Sequence, residues 1–161
     1  MERLITSIQS KDVQSVADTF PLLDYERVNE LYIDFLQEKR LTLVAIDKQH
    51  TPQDAEIVIS APPPTYLACV SLLWKADYDS FWRRNIPQID TFVVQNDDAE
   101  LAIDLLTACE QASKKHGCHA LGISLPEDET FIGDLLIEQG YVAKGSGIKA
   151  EEGILRCVKR L

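Results

Sequence analysis

Few side chains in this sequence stand at spacings that chemistry could use. Cys109, His116, Cys118 and His119 are metal-ligand types, yet Cys118 and His119 are neighbours on a strand-like stretch, where they point to opposite faces, and no second Cys/His pair lies elsewhere. No metal is expected. No Ser-His-Asp or Cys-His set has the context of an activated nucleophile. Gly145-Ser146-Gly147 reads as a turn, since no helix follows to hold a phosphate. Asp97-Asp98-Ala99-Glu100 opens a long helical pattern, where a carboxylate caps the first turn and complements the helix dipole by roughly 0.3–1 kcal/mol. Trp74, Tyr78, Phe81 and Trp82 crowd around a polar connection and suit either a pocket or packing.

The elements that position these residues follow from periodicity. Residues 3–8 form a first strand, Ser10 caps a helix over 11–20, and Pro21 ends it. Asp24 caps a second helix whose buried stripe is Val28, Leu31, Tyr32, Phe35 and Leu36. Residues 41–46 read as a strand. A polar stretch follows, with Pro52, a short strand at 57–59 and the stiff run Pro62-Pro63-Pro64. Residues 66–74 and 86–94 form two adjacent antiparallel strands. Asp97 or Asp98 then caps a long helix with the stripe Leu101, Leu105, Ala108, Cys109 and Ala112, closed by Lys114, Lys115 and Gly117. A buried strand at 119–125 leads to a helix opened by Pro126-Glu127-Asp128-Glu129 and carrying Phe131, Ile132, Leu135 and Leu136. Two strands, from Tyr141 and over 154–158, complete the order β-α-α-β-β-β-α-β-α-β-β. This predicts one α/β domain over residues 1–161, a mixed sheet of six to seven strands with helices on both faces.

Composition narrows the function classes. The 161 residues carry a formal charge of −10, which opposes nucleic acid and anionic membranes at long range, despite the small clusters Arg83-Arg84, Lys114-Lys115 and Lys159-Arg160. No apolar run is long enough to span a bilayer, and residues 1–6 do not resemble a secretory signal, so a cytoplasmic location is expected. Cys69, Cys109, Cys118 and Cys157 are widely spaced in apolar segments, as reduced buried thiols are.

From Trp74 onward the residues resemble the GNAT N-acetyltransferases. Trp74-Lys75-Ala76-Asp77-Tyr78-Asp79-Ser80-Phe81 followed by Ile86-Pro87-Gln88-Ile89 is similar to that family's Trp…Tyr…Phe then Ile-Pro-Glu-Ile run. Leu105-Leu106-Thr107-Ala108-Cys109-Glu110 resembles its next helix, and Gln139-Gly140-Tyr141-Val142 its closing Gly-Tyr. The resemblance implies an acyl-CoA N-acyltransferase fold, with acetyl-CoA as cofactor and an amine acceptor, small molecule or protein, and it leaves a homodimer open. It places the cofactor along Val93 and Val94 and at Asp98, Ala99, Glu100, Leu101 and Ala102, with Trp74, Tyr78, Phe81 and Trp82 on the acceptor side. Asp90 becomes the nearest carboxylate for a base. Tyr141 is the remaining acid if its hydroxyl faces the cofactor.

The sequence departs from the family at these positions. The family's phosphate loop reads Arg/Gln, two residues, Gly, one residue, Gly/Ala; here Asp97 and Glu100 take the first two fixed positions and only Ala102 conforms. Leu136 stands where the family has an acid tyrosine, Glu129 near its asparagine, and Gln88 in place of a glutamate. Two functions follow as expectations: an acetyltransferase with a degraded pyrophosphate loop, or a noncatalytic ligand- or protein-binding protein on the same fold.

Overall fold

A computed structural model describes residues 2–48, 64–143 and 153–161. The strand expected at 57–59, Pro52, Pro62, Pro63 and the Gly145-Ser146-Gly147 turn lie outside the described residues. The chain runs β1 (Glu2–Ser7), α1 (Val13–Thr19), α2 (Tyr25–Leu36), β2 (Arg40–Lys48), β3 (Thr65–Leu73), α3 (Asp79–Arg83), β4 (Gln88–Val94), α4 (Ala99–Lys115), β5 (Ala120–Pro126), α5 (Thr130–Glu138), β6 (Val142–Ala143) and β7 (Ile154–Arg160). The predicted order holds, with the short α3 added between β3 and β4.

The strands form one sheet in the order β1-β2-β3-β4-β5-β7-β6. Every neighbouring pair is antiparallel except β4 and β5. A parallel pair needs a crossover, and α4 supplies it.

Two apolar layers cover the sheet. Under α1 and α2, Ile8, Val16, Val28 and Leu31 meet Val44, Tyr66 and Cys69; under α4 and α5, Leu101, Leu105, Leu106, Ile132 and Leu136 meet Val70, Leu72, Ile89, Leu121 and Ile123. Each of these larger side chains contributes about 1.5–3 kcal/mol by leaving water. Asp24 caps α2 as expected, its carboxylate accepting the Arg27 N–H at 2.8 Å. Leu36 is a correction: it is 59% exposed, since the chain turns away from the sheet at the end of α2 to enter β2. The helix expected from Pro126 begins later, because Pro126 still pairs with Ile154 as the last residue of β5.

All four cysteines are free and buried. Desolvation pushes the Cys69 and Cys109 thiols up to about 12. Among the described residues no helix is long and apolar enough to cross a membrane.

Candidate functional site

The feature that opens a site is a β-bulge. On β4, Ile89 pairs with Leu72 and Thr91 with Ser71, so Asp90 is the extra residue between two consecutive partners on β3. A bulge bends its strand and puts two successive side chains on one face. Asp90 and Thr91 both accept from the same Arg27 nitrogen, each at 3.2 Å. The parallel ladder to β5 consists of Gln88↔Gly122 and Ile89↔Ile123 and ends at this point. Beyond it β4 pairs with β3 alone, and its other edge faces a cleft.

That cleft, of about 130 Å³, is lined by Phe20, Pro21 and Leu22 from the α1–α2 corner, Phe92, Val93 and Val94 from β4, and Asp97, Glu129, Phe131 and Ile132 from the approaches to α4 and α5. Val93 and Val94, expected along the cofactor, thus line this cleft. The corner residues were missed, because a loop 70 residues upstream carries no periodic signal toward β4. The trace that could have revealed them is Leu22, an apolar residue beside Pro21 that ends up 76% exposed.

The turn from β4 into α4 is made by Asn96 and Asp97 with φ of 58° and 49°. Asn and Asp are the non-glycine residues that best tolerate this left-handed region, so the turn closes without glycine while side chains remain on it. Asp98 caps α4: its carboxylate accepts the Leu101 N–H at 3.1 Å and the Arg3 guanidinium at 2.6 Å. Ala99 and Glu100 are exposed on the first turn, whereas Leu101 and Ala102 are buried against the sheet. A phosphate at this helix end would find the Leu101 N–H already taken by Asp98, with Asp97 and Glu100 beside it.

Asp90 belongs to a polar network under α2. Its carboxylate accepts from Arg40 at 2.9 and 3.2 Å and from Arg27 at 3.2 Å. Arg40 is 4% exposed, also donates to Ser71 at 2.9 Å, and lies 3.4 Å from Asp34. A charge this deep requires such partners, since removing one of a buried pair strands the other. The structure therefore gives Asp90 two guanidinium partners, on the face opposite α4.

Tyr141 is corrected as an acid facing the cleft. Its O–H donates to Glu110 at 3.1 Å, and Lys159 pairs with the same carboxylate at 3.1 Å. Glu110 is three turns along α4, about 16 Å from its start. Burial first, then the Glu110 charge, raises the Tyr141 hydroxyl far above its usual range. Leu136 is fully buried in the core, and the Gln88 side-chain oxygen accepts the Tyr78 N–H at 3.2 Å.

The aromatic group does not face the cleft either. It gathers at the amino end of β4, a seven-residue strand about 20 Å long, while the cleft opens at the carboxyl end. Phe81 is fully buried with its ring against Gly122, where an added Cβ would lie 2.6 Å from it. Tyr78 meets Phe81 edge-on at 4.9 Å and carries the Arg156 guanidinium over its face at 4.0 Å. Trp74 stacks on His116 at 4.0 Å, and Trp82 is 49% exposed. Among the described residues no group of three or more His, Cys, Asp or Glu could hold a metal ion.

A seven-stranded mixed sheet, a single parallel pair that splays after two residues, and helices on both faces define the GNAT acyl-CoA N-acyltransferase fold. No protein-family model matches the sequence, and no curated protein does. Solved structures match over almost the whole chain. The PaiA N-acetyltransferase from Thermoplasma acidophilum, in complex with coenzyme A, aligns at a TM-score of 0.71 and 11% identity, covering 100% of both chains. The spermidine N-acetyltransferase from Vibrio cholerae, in complex with CoA and spermine, aligns at 0.64 and 13%, covering 98% of this chain and 95% of that one. The NatC complex bound to Gag peptide and CoA aligns at 0.68 and 13%, covering 100% and 99%.

Proposed function

We propose that this chain is a ligand-binding protein on the GNAT fold that does not carry out ordinary acetyl transfer from acetyl-CoA. The start of α4 carries the reading: Asp98 takes the first-turn N–H, held there by Arg3, while Asp97 and Glu100 add charge of the wrong sign. One carboxylate about 5 Å from a phosphate costs roughly 3 kcal/mol at an effective dielectric near 20, less where solvent and salt screen it. No basic side chain lines the cleft among the described residues to offset this. The residues present do not fit a diphosphate.

What the cleft does suit is an apolar group on an extended chain. Phe20, Leu22, Phe92, Phe131 and Ile132 supply an apolar wall, and β4 beyond Ile89 offers an unpaired edge, the arrangement by which peptides add a strand to a sheet. At about 130 Å³ the cleft suits one side chain rather than a drug-sized molecule, which needs roughly 300 Å³ or more. Calorimetry with acetyl-CoA, coenzyme A and ATP as a control tests the reading. No heat from any of them at millimolar concentration is expected. Micromolar acetyl-CoA binding would sink it.

A second reading, an amine N-acetyltransferase, is favoured by the same free β4 edge, against which the family resemblance sets the pantetheine. The neighbours solved with coenzyme A also support it. In this reading Asp90 is the base, which requires both Arg27 and Arg40 to release it. Asp97→Arg with Glu100→Gly should raise coenzyme A affinity about tenfold, roughly 1.4 kcal/mol. Unchanged affinity would show that charge at the helix start is not what limits binding.

A further inference from the structure

The expected aromatic pocket and the short basic clusters have no place in the cleft, yet the fold brings them together elsewhere. α3 ends in a left-handed residue, Asn85 with φ of 55°, which turns the chain into β4 and leaves Arg84 and Asn85 exposed. On one side of this turn a hollow of about 430 Å³ is lined by Arg84, Asn85, Ile86, His119, Ala120, Val158 and Arg160. On the other, one of about 310 Å³ is lined by Trp74, Lys75, Ala76, Trp82, Asn85 and Ile86. The two share Asn85 and Ile86 as a common wall. Arg160 reaches the first hollow because β7 pairs with β5, Ala120 opposite Arg160.

We propose that this groove is a second binding site, for a small organic anion that joins a planar ring to a phosphate or carboxylate. Among the described residues no acidic side chain lines either hollow, in a chain whose formal charge is −10. Arg84, His119 and Arg160 are exposed where they line the hollow and make no ion pair or side-chain hydrogen bond with another described residue. Guanidinium forks match the two oxygens of a carboxylate or phosphate. Trp82, half exposed with Lys75 5.5 Å from its ring centre, offers a flat apolar face in the adjoining hollow. Both hollows are within the size range of small-molecule sites. The overall negative charge repels a long polyanion, so a compact anion is the ligand that the local field can hold.

Trp74 and Trp82 are the chain's two tryptophans, so intrinsic fluorescence reads this groove directly. Adenosine 5′-monophosphate and benzoate serve as the phosphate and carboxylate probes, with adenosine and ribose 5-phosphate as the ring and the anion alone. Saturable quenching by at least one ring-bearing anion is expected, about tenfold tighter than by adenosine or ribose 5-phosphate. Arg84→Ala with Arg160→Ala should weaken it a further tenfold or more, and both side chains are exposed, so the variant keeps its fold. Lys11→Ala, which removes an exposed basic side chain outside both hollows, should leave it unchanged. Absence of saturation by either anion up to about 10 mM, equal binding of adenosine, or an unaffected double variant would each overturn the proposal.

Discussion

At its carboxyl end β4 runs into a small cleft whose charged lining is Asp97 and Glu129, whereas its amino end abuts a larger hollow set with Arg84, His119 and Arg160. One strand thus separates two electrostatic environments of opposite sign. The first end is where the parallel pair of the GNAT fold splays, while the basic side chains stand at the second. Fold and charge have parted company along about 20 Å of one strand.

Four substitutions or conditions break or sharpen this contrast. Phe81 anchors the basic end. Phe81→Ala should lose about 3–5 kcal/mol of stability in urea unfolding, as for other fully buried aromatic rings. A loss below about 1 kcal/mol would return Phe81 to a ligand-lining role. Asp90 sits at the bulge that divides the two ends, and Asp90→Ala leaves Arg40 buried with fewer partners. About 3 kcal/mol should go, and Asp90→Asn should recover part of it. If the carboxylate served chemistry alone, neither variant would shift the unfolding midpoint.

Alkali gives a third test. Cys69 and Cys109 have folded values of about 12 against 9.0 unexposed to these surroundings, so the folded state favours the protonated thiols. Their contribution is complete below pH 9 and falls away as pH rises through 12, by up to about 1.4 kcal/mol per group per pH unit. Urea midpoints at pH 8, 9.5 and 10.5 should decline in that window, and a flat profile would contradict the burial of these thiols. The smallest change is at the acidic end. Asp98→Ala should cost about 1 kcal/mol through the lost cap, and Asp98→Asn, which can still cap, should cost less. Equal losses would assign the effect to the Arg3 pair instead.

Much of the fold was legible because period and punctuation are local. Asp24, Asp98 and Gly117 mark helix ends by chemistry that acts within a few residues, and the stripe on α4 recurs at three and four. The cleft was legible only in part. Val93 and Val94 lie on a strand that could be read, but the bulge at Asp90 exists only against Ser71 and Leu72 of β3. Arg27, Arg40 and Asp90 converge across 63 and 50 residues, a distance over which no spacing rule operates. Tyr141 shows the same limit: its place before β6 was readable, whereas the direction of its hydroxyl depended on Glu110 of α4.

The Arg3–Asp98 pair has a consequence for how the molecule assembles. It joins residues 95 positions apart. Closing a loop of that length in an unfolded chain costs about 4 kcal/mol of entropy, several times what a half-exposed ion pair returns. The pair cannot lead folding; it is set once β1 has zipped onto β2 and the sheet has shortened the path. The cap on α4 is then a late latch held from the edge strand β1, and amide exchange at Leu101 would report whether that strand is in place.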